Sequence, residues 1–300
     1  MDKLIVNPRS NKGRTAALLS EIIHHLRHLE IEFEVQKTEA PGQATDFAQQ
    51  TVPERYRRVI AVGGDGTCHE IVNGLLIAAQ KGGQAPTLGI IPTGSGNDLA
   101  HSLGIPSDID QACTILKNGS ERAIDVGRVT VDGKPHFFVN NVGLGLDAEV
   151  ALTTRKTRIL RGFLMYLGSA LWVVAFGRWP YQAKFSFNNT QHEQTITLFT
   201  VANGQRSGGG FFFTPEAKLD DGLLDICYAS RLSRLGVLNL LPKTFKGTHI
   251  HHQAVILRQS NKVDIFVEAG IPGHIDGEIL CILGRHFTFE ILPKALRVWA

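Results

Sequence analysis

The chain has 300 residues, 43% of them hydrophobic, and a formal net charge of +3 at pH 7. That is enough apolar material for one large packed domain or two modest ones, and too little charge to point to nucleic acid as a partner. Four scattered cysteines, Cys68, Cys113, Cys227 and Cys281, form no C-x-x-C pair, which predicts a reduced, cytoplasmic chain rather than a disulfide scaffold.

The pattern opens directly into a strand over 3–7, with no secretory leader ahead of it. A helix over 15–29 follows, then a strand over 33–37, a helix over 44–50, a strand over 59–62, a helix over 69–79 and a strand over 88–91. Strands alternating with helices imply a parallel sheet covered on both faces, with ligands beyond the carboxyl ends of the strands. Three turn clusters fall at those ends: 7–13 (Asn-Pro-Arg-Ser-Asn-Lys-Gly), 63–67 (Gly-Gly-Asp-Gly-Thr) and 92–98 (Pro-Thr-Gly-Ser-Gly-Asn-Asp). A strand, a glycine turn and a helix start aim several backbone N–H groups at one point, which suits an anion. The carboxylates Asp65 and Asp98 inside two of these turns would repel a bare phosphate. They fit a nucleotide triphosphate whose charge is shared with Mg²⁺ or a protein cation.

After Asp125 the pattern changes. Short runs rich in β-branched and aromatic residues over 127–131, 135–142, 184–187, 195–201, 224–229, 254–259, 262–267 and 286–292 predict a sandwich or barrel. Only 159–176 and 235–244 read as helical there, and a last strand over 295–299 is free to join either domain. The expected division is an α/β nucleotide-binding domain over 1–126, which 293–300 is open to complete, and a β-rich lipid-substrate domain over 127–292.

From Val150 to His192 there is no acidic residue, whereas Arg155, Lys156, Arg158, Arg161, Arg178 and Lys184 are basic. Such a field suits an anionic membrane surface. The uncharged run 162–177 within it is shorter than the ~20 residues that a spanning helix needs. It reads either as a core helix or as a greasy wall for an acyl chain. Gly208–Gly210 followed by Phe211–Phe213 is a flexible turn before a buried strand or the rim of a lipid cleft. The stretch 143–148 (Gly-Leu-Gly-Leu-Asp-Ala) mimics a dinucleotide fingerprint but lacks the acid about twenty residues on that ribose binding requires. The histidines of 249–252 have no acid or cysteine nearby to complete a metal site, so a solvated loop is expected.

Taken together, Asn7-Pro8, the Gly63–Thr67 loop with Glu70, the Pro92–Asp98 loop, 219–222 (Leu-Asp-Asp-Gly) and 276–278 (Asp-Gly-Glu) resemble the diacylglycerol kinase catalytic family. The likeness spans essentially the whole chain and is greatest to the soluble bacterial lipid kinases, with sphingosine kinases as relatives. The glycine loop alone also occurs in NAD kinases and 6-phosphofructokinases. The resemblance implies an N-terminal doubly wound α/β domain, of NAD kinase and diacylglycerol kinase type, and a C-terminal β-sandwich.

It further implies ATP contacts from Asn7, Pro8, Arg9, Ser10, Asn11, Thr38, Gly64, Asp65, Gly66, Thr67, Cys68, His69, Glu70, Ser95 and Asn97. Ser95 stands where the family more often has Thr, and Asn11 where it more often has Gly; Asn tolerates the left-handed backbone well. Asp65, Asp98 and Asp125 are the implied holders of catalytic Mg²⁺. Asp221, with the carbonyls of Lys218 and Leu223, is the implied structural Mg²⁺ site. Glu278 is the first choice for the base that deprotonates the acceptor hydroxyl, with Asp276 assisting or acting as the base itself. Both acidic motifs also read as Asp-Gly turns.

The expected activity is ATP-dependent phosphorylation of a lipid hydroxyl, that of diacylglycerol or a related lipid alcohol, with ATP in the cleft between the domains. The enzyme would be cytoplasmic and peripherally membrane-associated, and a homodimer is allowed. The alternatives are an NAD kinase-like phosphotransferase and a non-catalytic nucleotide or lipid sensor.

Overall fold

The computed structural model describes residues 1–54, 56–82, 84–156 and 162–300, with side chains undescribed at 53–54, 155–156 and 162–166. The chain divides into two compact units, Met1–Ile124 with Lys294–Ala300, and Asp125–Pro293.

The first unit runs β1 (Asp2–Val6), α1 (Arg14–His28), β2 (Phe33–Lys37), α2 (Gln43–Glu54), β3 (Arg58–Gly63), α3 (Asp65–Gln80), β4 (Thr87–Pro92), α4 (Asp98–Ser102) and α5 (Ile109–Asn118). Its strands pair in parallel in the order β4-β3-β1-β2. Strand alternation sends Leu4, Val6, Ile60, Val62 and Ile91 to one face, against Leu19, Ile22 and Leu26 of α1 and Ile109, Cys113 and Leu116 of α5. Helices α2 and α3 pack on each other, and Gly74 makes that closeness possible. A Cβ there would lie 2.3 Å from the Thr45 carbonyl oxygen. The amphipathic helix α5, with an Asp108 side-chain cap on Gln111 N–H at 3.0 Å, has no counterpart in the sequence reading. The last residues return here: Val298 pairs in parallel with Leu88, and Ala300 and Ser120 exchange backbone hydrogen bonds.

The second unit holds most of β5 (Glu121–Val131), then β6 (Lys134–Phe138), β7 (Asn141–Gly145), α6 (Leu146–Lys156), α7 (Gly162–Phe176), β8 (Tyr181–Phe187), β9 (Thr190–Ala202), β10 (Leu224–Ser230), α8 (Arg234–Thr244), β11 (Val255–Ser260), β12 (Lys262–Ile275) and all but the end of β13 (Glu278–Trp299). The strands are antiparallel, in the order β11-β10-β9-β7-β12-β13, and β8 bonds to both β9 and β12. Register irregularities between Phe266 and His274 bend β12, so that its first half pairs with β8 and its last residues with β7. The sandwich core lies inside, around Phe138, Phe185, Phe199, Phe287 and Phe289. The 135–142 strand of the sequence reading is two strands broken at Val139–Asn140. Helix α6 starts where the discounted 143–148 motif stands.

Within 159–176, residues 159–161 lie outside the described residues, as do Arg158 and Arg161 of the basic stretch and the side chains of Arg155 and Lys156. Ala170, Val173 and Val174 of α7 are buried against Leu146, Val150 and Val237. Leu171, Trp172 and Phe176 on its other face are exposed, as are Leu235 and Leu238 of α8. Among the described residues no helix is long and apolar enough to cross a membrane.

Candidate active site

The three loops at the carboxyl ends of β1, β3 and β4 meet through their backbones. Gly63 carbonyl accepts N–H groups of Thr93 (2.9 Å) and Gly94 (3.1 Å). A Cβ on Gly94 would lie 2.3 Å from Gly64 Cα, and one on Gly64 would lie 2.9 Å from Gly94 Cα, so neither loop leaves room for a side chain. The first loop is tied in from below. Asn11 Nδ2 donates to the Gly94 carbonyl (3.3 Å), the Thr15 and Thr93 hydroxyls share a 2.7 Å hydrogen bond, and Asn7 Nδ2 donates to Thr67 Oγ1 (3.3 Å). Asn11 has φ 50°, ψ 46°, the left-handed conformation expected of it. Arg9, Lys12 and Arg14 are exposed along this loop, where they add positive charge.

Helix α3 begins at Asp65, four residues earlier than the sequence pattern indicates, so the glycine loop is itself the first helical turn. Asp65 Oδ1 accepts the N–H of Asp98 at 2.6 Å and of Leu99 at 3.5 Å. Burial and the neighbouring Asp98 carboxylate push the Asp65 acid up from 3.8 to about 7, against the backbone donors of Asp98, Leu99 and Asn97. The two acids stand at the starts of α3 and α4, near enough for the Asp98 charge to act on Asp65, and carboxylate oxygens are the donor type that a divalent cation takes.

The remaining predicted nucleotide residues divide. Ser95 is exposed, and Pro8, Ser10 and Asn97 are half-buried in the converging loops. Thr38 is buried, its N–H donating to the Val6 carbonyl (2.8 Å) at the end of β2. Cys68 is also buried, on the inner side of α3, while Gly66 and His69 stay partly open in its first turns. Glu70 is tied elsewhere: its two oxygens accept Gly42 N–H (3.0 Å) and Ala44 N–H (3.1 Å), capping the start of α2.

Asp125 opens the second unit. Its Oδ2 accepts Gly222 N–H at 2.7 Å and its own N–H donates to the Leu219 carbonyl at 2.6 Å, clamping the 218–223 turn. Asp221 is exposed, with Oδ1 accepting Leu223 N–H at 3.0 Å, and Lys218 is exposed beside it.

Asp276 and Gly277 form a two-residue hairpin between β12 and β13, with Ile275 opposite Glu278 and both turn residues at positive φ (47° and 84°). The Asp276 carboxylate is buried and turned inward. It accepts the N–H groups of Val139 (3.1 Å), Asn140 (2.9 Å) and Asn141 (3.0 Å). With both oxygens engaged by backbone donors it braces the β6–β7 break. Glu278, the next carboxylate, is half-buried just past the turn.

Residues far apart in sequence line an apolar cavity of ≈ 70 Å³ in the second unit. Its walls include Val150 of α6, Ala170 of α7, and Val237, Leu240 and Leu241 of α8, with Phe211, Phe213, Ser207 and Gly208 of the glycine-rich turn. The 208–213 segment is therefore a cavity rim and wall, and no strand forms there. His249 lines the cavity too and is 3% exposed, contrary to the expected solvated loop. Its Nε2 lies 3.2 Å from the Phe213 carbonyl, and burial lowers its tendency to take up a proton. Burial likewise pushes the neighbouring Cys227 thiol up to about 12, which leaves it inert. Gly277 reaches the same cavity, as do Asp147 and His274, whose Oδ2 and Nε2 are 2.8 Å apart. The sequence reading missed Asp147 and His274. The only signal was an acid in a glycine-rich turn and a histidine two residues before Asp276, and nothing in the chain pairs them.

Comparison with known proteins agrees with this architecture. Residues 3–129 match the model of the diacylglycerol kinase catalytic domain, and residues 140–300 match the YegS C-terminal NAD kinase beta sandwich-like domain. The chain belongs to the family of diacylglycerol kinases and YegS-like lipid kinases. A "Diacylglycerol kinase" of Bacillus subtilis (strain 168) is 29% identical over 288 residues, covering 95% of this chain and 92% of that protein. A "Probable lipid kinase YegS-like" of Chromohalobacter salexigens is 30% identical, with 95% and 89% covered. The crystal structure of a "putative diacylglycerol kinase" from Bacillus anthracis str. Sterne superposes with a TM-score of 0.79 at 25% identity, covering 99% of this chain and 96% of that one. Yeast NADH kinase, at 11% identity and a TM-score of 0.53, shares the fold.

Proposed function

We propose that this chain is an ATP-dependent lipid kinase that transfers the γ-phosphoryl group to the hydroxyl of diacylglycerol or a related lipid alcohol. The observation that carries the lipid half of this reading is the apolar cavity, whose wall includes Gly277 of the Asp276-Gly277-Glu278 hairpin. An acyl chain fits such a lining; the polar, anionic NAD does not, which favours a lipid over NAD as acceptor. The backbone N–H groups and hydroxyls of the three converging loops, with Arg9, Lys12 and Arg14, would take the nucleotide phosphates.

The Asp65–Asp98 pair supports a catalytic divalent cation, and Asp221 with the Lys218 and Leu223 carbonyls would hold a separate structural Mg²⁺ on the turn that Asp125 clamps. Bound Mg²⁺ would neutralise charge on the transferring phosphoryl group. Glu278 would orient the acceptor hydroxyl and accept its proton, while Asp276 holds the hairpin that carries it. The exposed Leu171, Trp172, Phe176, Leu235 and Leu238 sit on the two helices whose inner faces wall the cavity, beside exposed Arg178, Arg231 and Arg234. This arrangement supports docking on an anionic membrane surface.

Incubation with labelled ATP, Mg²⁺ and a total lipid extract, with NAD in a parallel arm, tests the reading. Label is expected in a lipid product and not in NAD. Asp65→Ala should abolish it, and Glu278→Gln should slow turnover far more than it weakens ATP binding. Label in NAD alone, or ATP binding without turnover on any lipid, would overturn the assignment.

A further inference from the structure

We propose that the Asp147–His274 pair is the headgroup reader of the cavity, holding the acceptor alcohol and selecting uncharged or cationic lipids over anionic phospholipids. The proposal rests on the lipid kinase reading for its reaction, but its geometry stands within the second unit alone. Asp147 is the second residue of α6, and His274 lies in the bent part of β12, opposite Gly143 of β7. Their side chains are 12% and 2% exposed, and the His274 Nε2 to Asp147 Oδ2 distance is 2.8 Å. The pair depends on bare backbone at Gly143. A Cβ there would lie 2.2 Å from Asp147 Oδ2 and 2.3 Å from His274 Nε2.

With Oδ2 engaged by His274, Asp147 makes no other hydrogen bond among the described residues. Asp147 lines the mainly apolar cavity with its side chain 12% exposed, so its Oδ1 is open to accept a hydrogen bond from a ligand. A lipid hydroxyl or ammonium supplies one; a phosphodiester does not. Among the described lining residues there is no Lys or Arg. Apart from the His274 ring already paired with Asp147, and His249, whose burial disfavours its protonated form, no described lining residue offsets the repulsion between Asp147 and an anionic headgroup. Gly277 shares the cavity wall with the pair, so a hydroxyl held on Asp147 lies in the cavity that borders the hairpin of Glu278. Asp147 and His274 act on the acceptor by placing it, and are positioning residues.

The test is equilibrium binding, read separately from turnover. A fluorescent monoacylglycerol and its phosphorylated counterpart, with the same chain, are titrated into the full chain in uncharged micelles. The wild type should bind the uncharged lipid about tenfold or more tightly than the anionic one. Asp147→Asn should narrow that gap severalfold, with ATP binding and melting temperature held. His274→Gln, which keeps a donor toward Asp147, should retain most of the preference. Equal binding of the two lipids by the wild type, or an unchanged ratio in Asp147→Asn, overturns the proposal. A kept preference without phosphorylation of any lipid would refute the kinase reading and leave this one standing. In the turnover arm, Asp147→Asn should raise the lipid KM while leaving the ATP KM unchanged.

Discussion

Gly94→Ala probes the contact on which the nucleotide loops depend. The new Cβ would stand 2.3 Å from Gly64 Cα and 2.7 Å from Asn97 Oδ1, against an ordinary carbon–carbon contact of about 3.5–4.0 Å. Both obstacles are held. Gly64 leads into α3, and Asn97 Oδ1 accepts Gly94 N–H at 3.0 Å. The loops must therefore part by about 1 Å, straining the hydrogen bonds from Thr93 and Gly94 to the Gly63 carbonyl. Overpacking of this kind costs about 1–3 kcal/mol, which at roughly 2–4 °C per kcal/mol in a unit well above 100 residues lowers the melting temperature by about 2–12 °C. Gly64→Ala meets the same contact from the other side at 2.9 Å and should cost less. The exposed Ser95→Ala should leave stability unchanged. Thermal unfolding of the three variants, paired with ATP binding by calorimetry, gives the order directly. Equal melting temperatures for wild type and Gly94→Ala, or a larger loss in Gly64→Ala, would refute the claim that the loops meet backbone to backbone.

Three further outcomes are expected. Because Asp65 rises from 3.8 to about 7 on folding, the folded metal-free chain holds a proton that the unfolded chain releases; its contribution is whole below pH ~4 and is lost as pH climbs to about 7. Asp65→Asn should accordingly melt higher than wild type at pH 8, by about 2 kcal/mol once solvent on the open side is allowed for, and converge on it toward pH 4. A melting-temperature series across that range checks the sign, and a variant that melts lower at pH 8 contradicts it. Asp276→Asn weakens three backbone hydrogen bonds to a charged acceptor, so a loss of at least about 2 kcal/mol is expected. Glu278→Gln should instead melt like wild type while turnover collapses, and similar melting temperatures for the two variants would show that Asp276 is no brace. Glu70→Ala uncaps α2 by freeing Gly42 and Ala44 N–H, a loss of about 1–2 kcal/mol measurable by chemical denaturation.

Much of the fold was legible because its signals are local. The β3 and β4 runs are short, fully apolar and bounded by glycine turns, and parallel topology then places three turn loops at one edge of one sheet. Asn11 could be assigned a left-handed backbone from its side chain alone. The Asp276-Gly277 turn was equally readable, since two adjacent positive φ values favour that dipeptide. What a residue's side chain does once the chain is folded was much less visible. Glu70 stands in the nucleotide motif yet caps α2, because α3 packs on α2 and brings its second turn against Gly42. Asp276 and Glu278 look alike as acids two apart in a hairpin. The backbone break at Val139–Asn141 decides which of them is spent on structure.

By itself, the sequence determined the strand–helix alternation from β1 to β4, the three phosphate-compatible loops and the family to which the chain belongs, since each depends on residues close together along the chain. Only the tertiary structure decided that α6, α7 and α8 wall a cavity, that His249 is buried, and that Asp147 meets His274 across 127 positions. The physical reason is that burial and charge pairing are properties of neighbours in space. A carboxylate's partner, and whether an apolar helix face meets core or solvent, are set by packing between elements that no local pattern records.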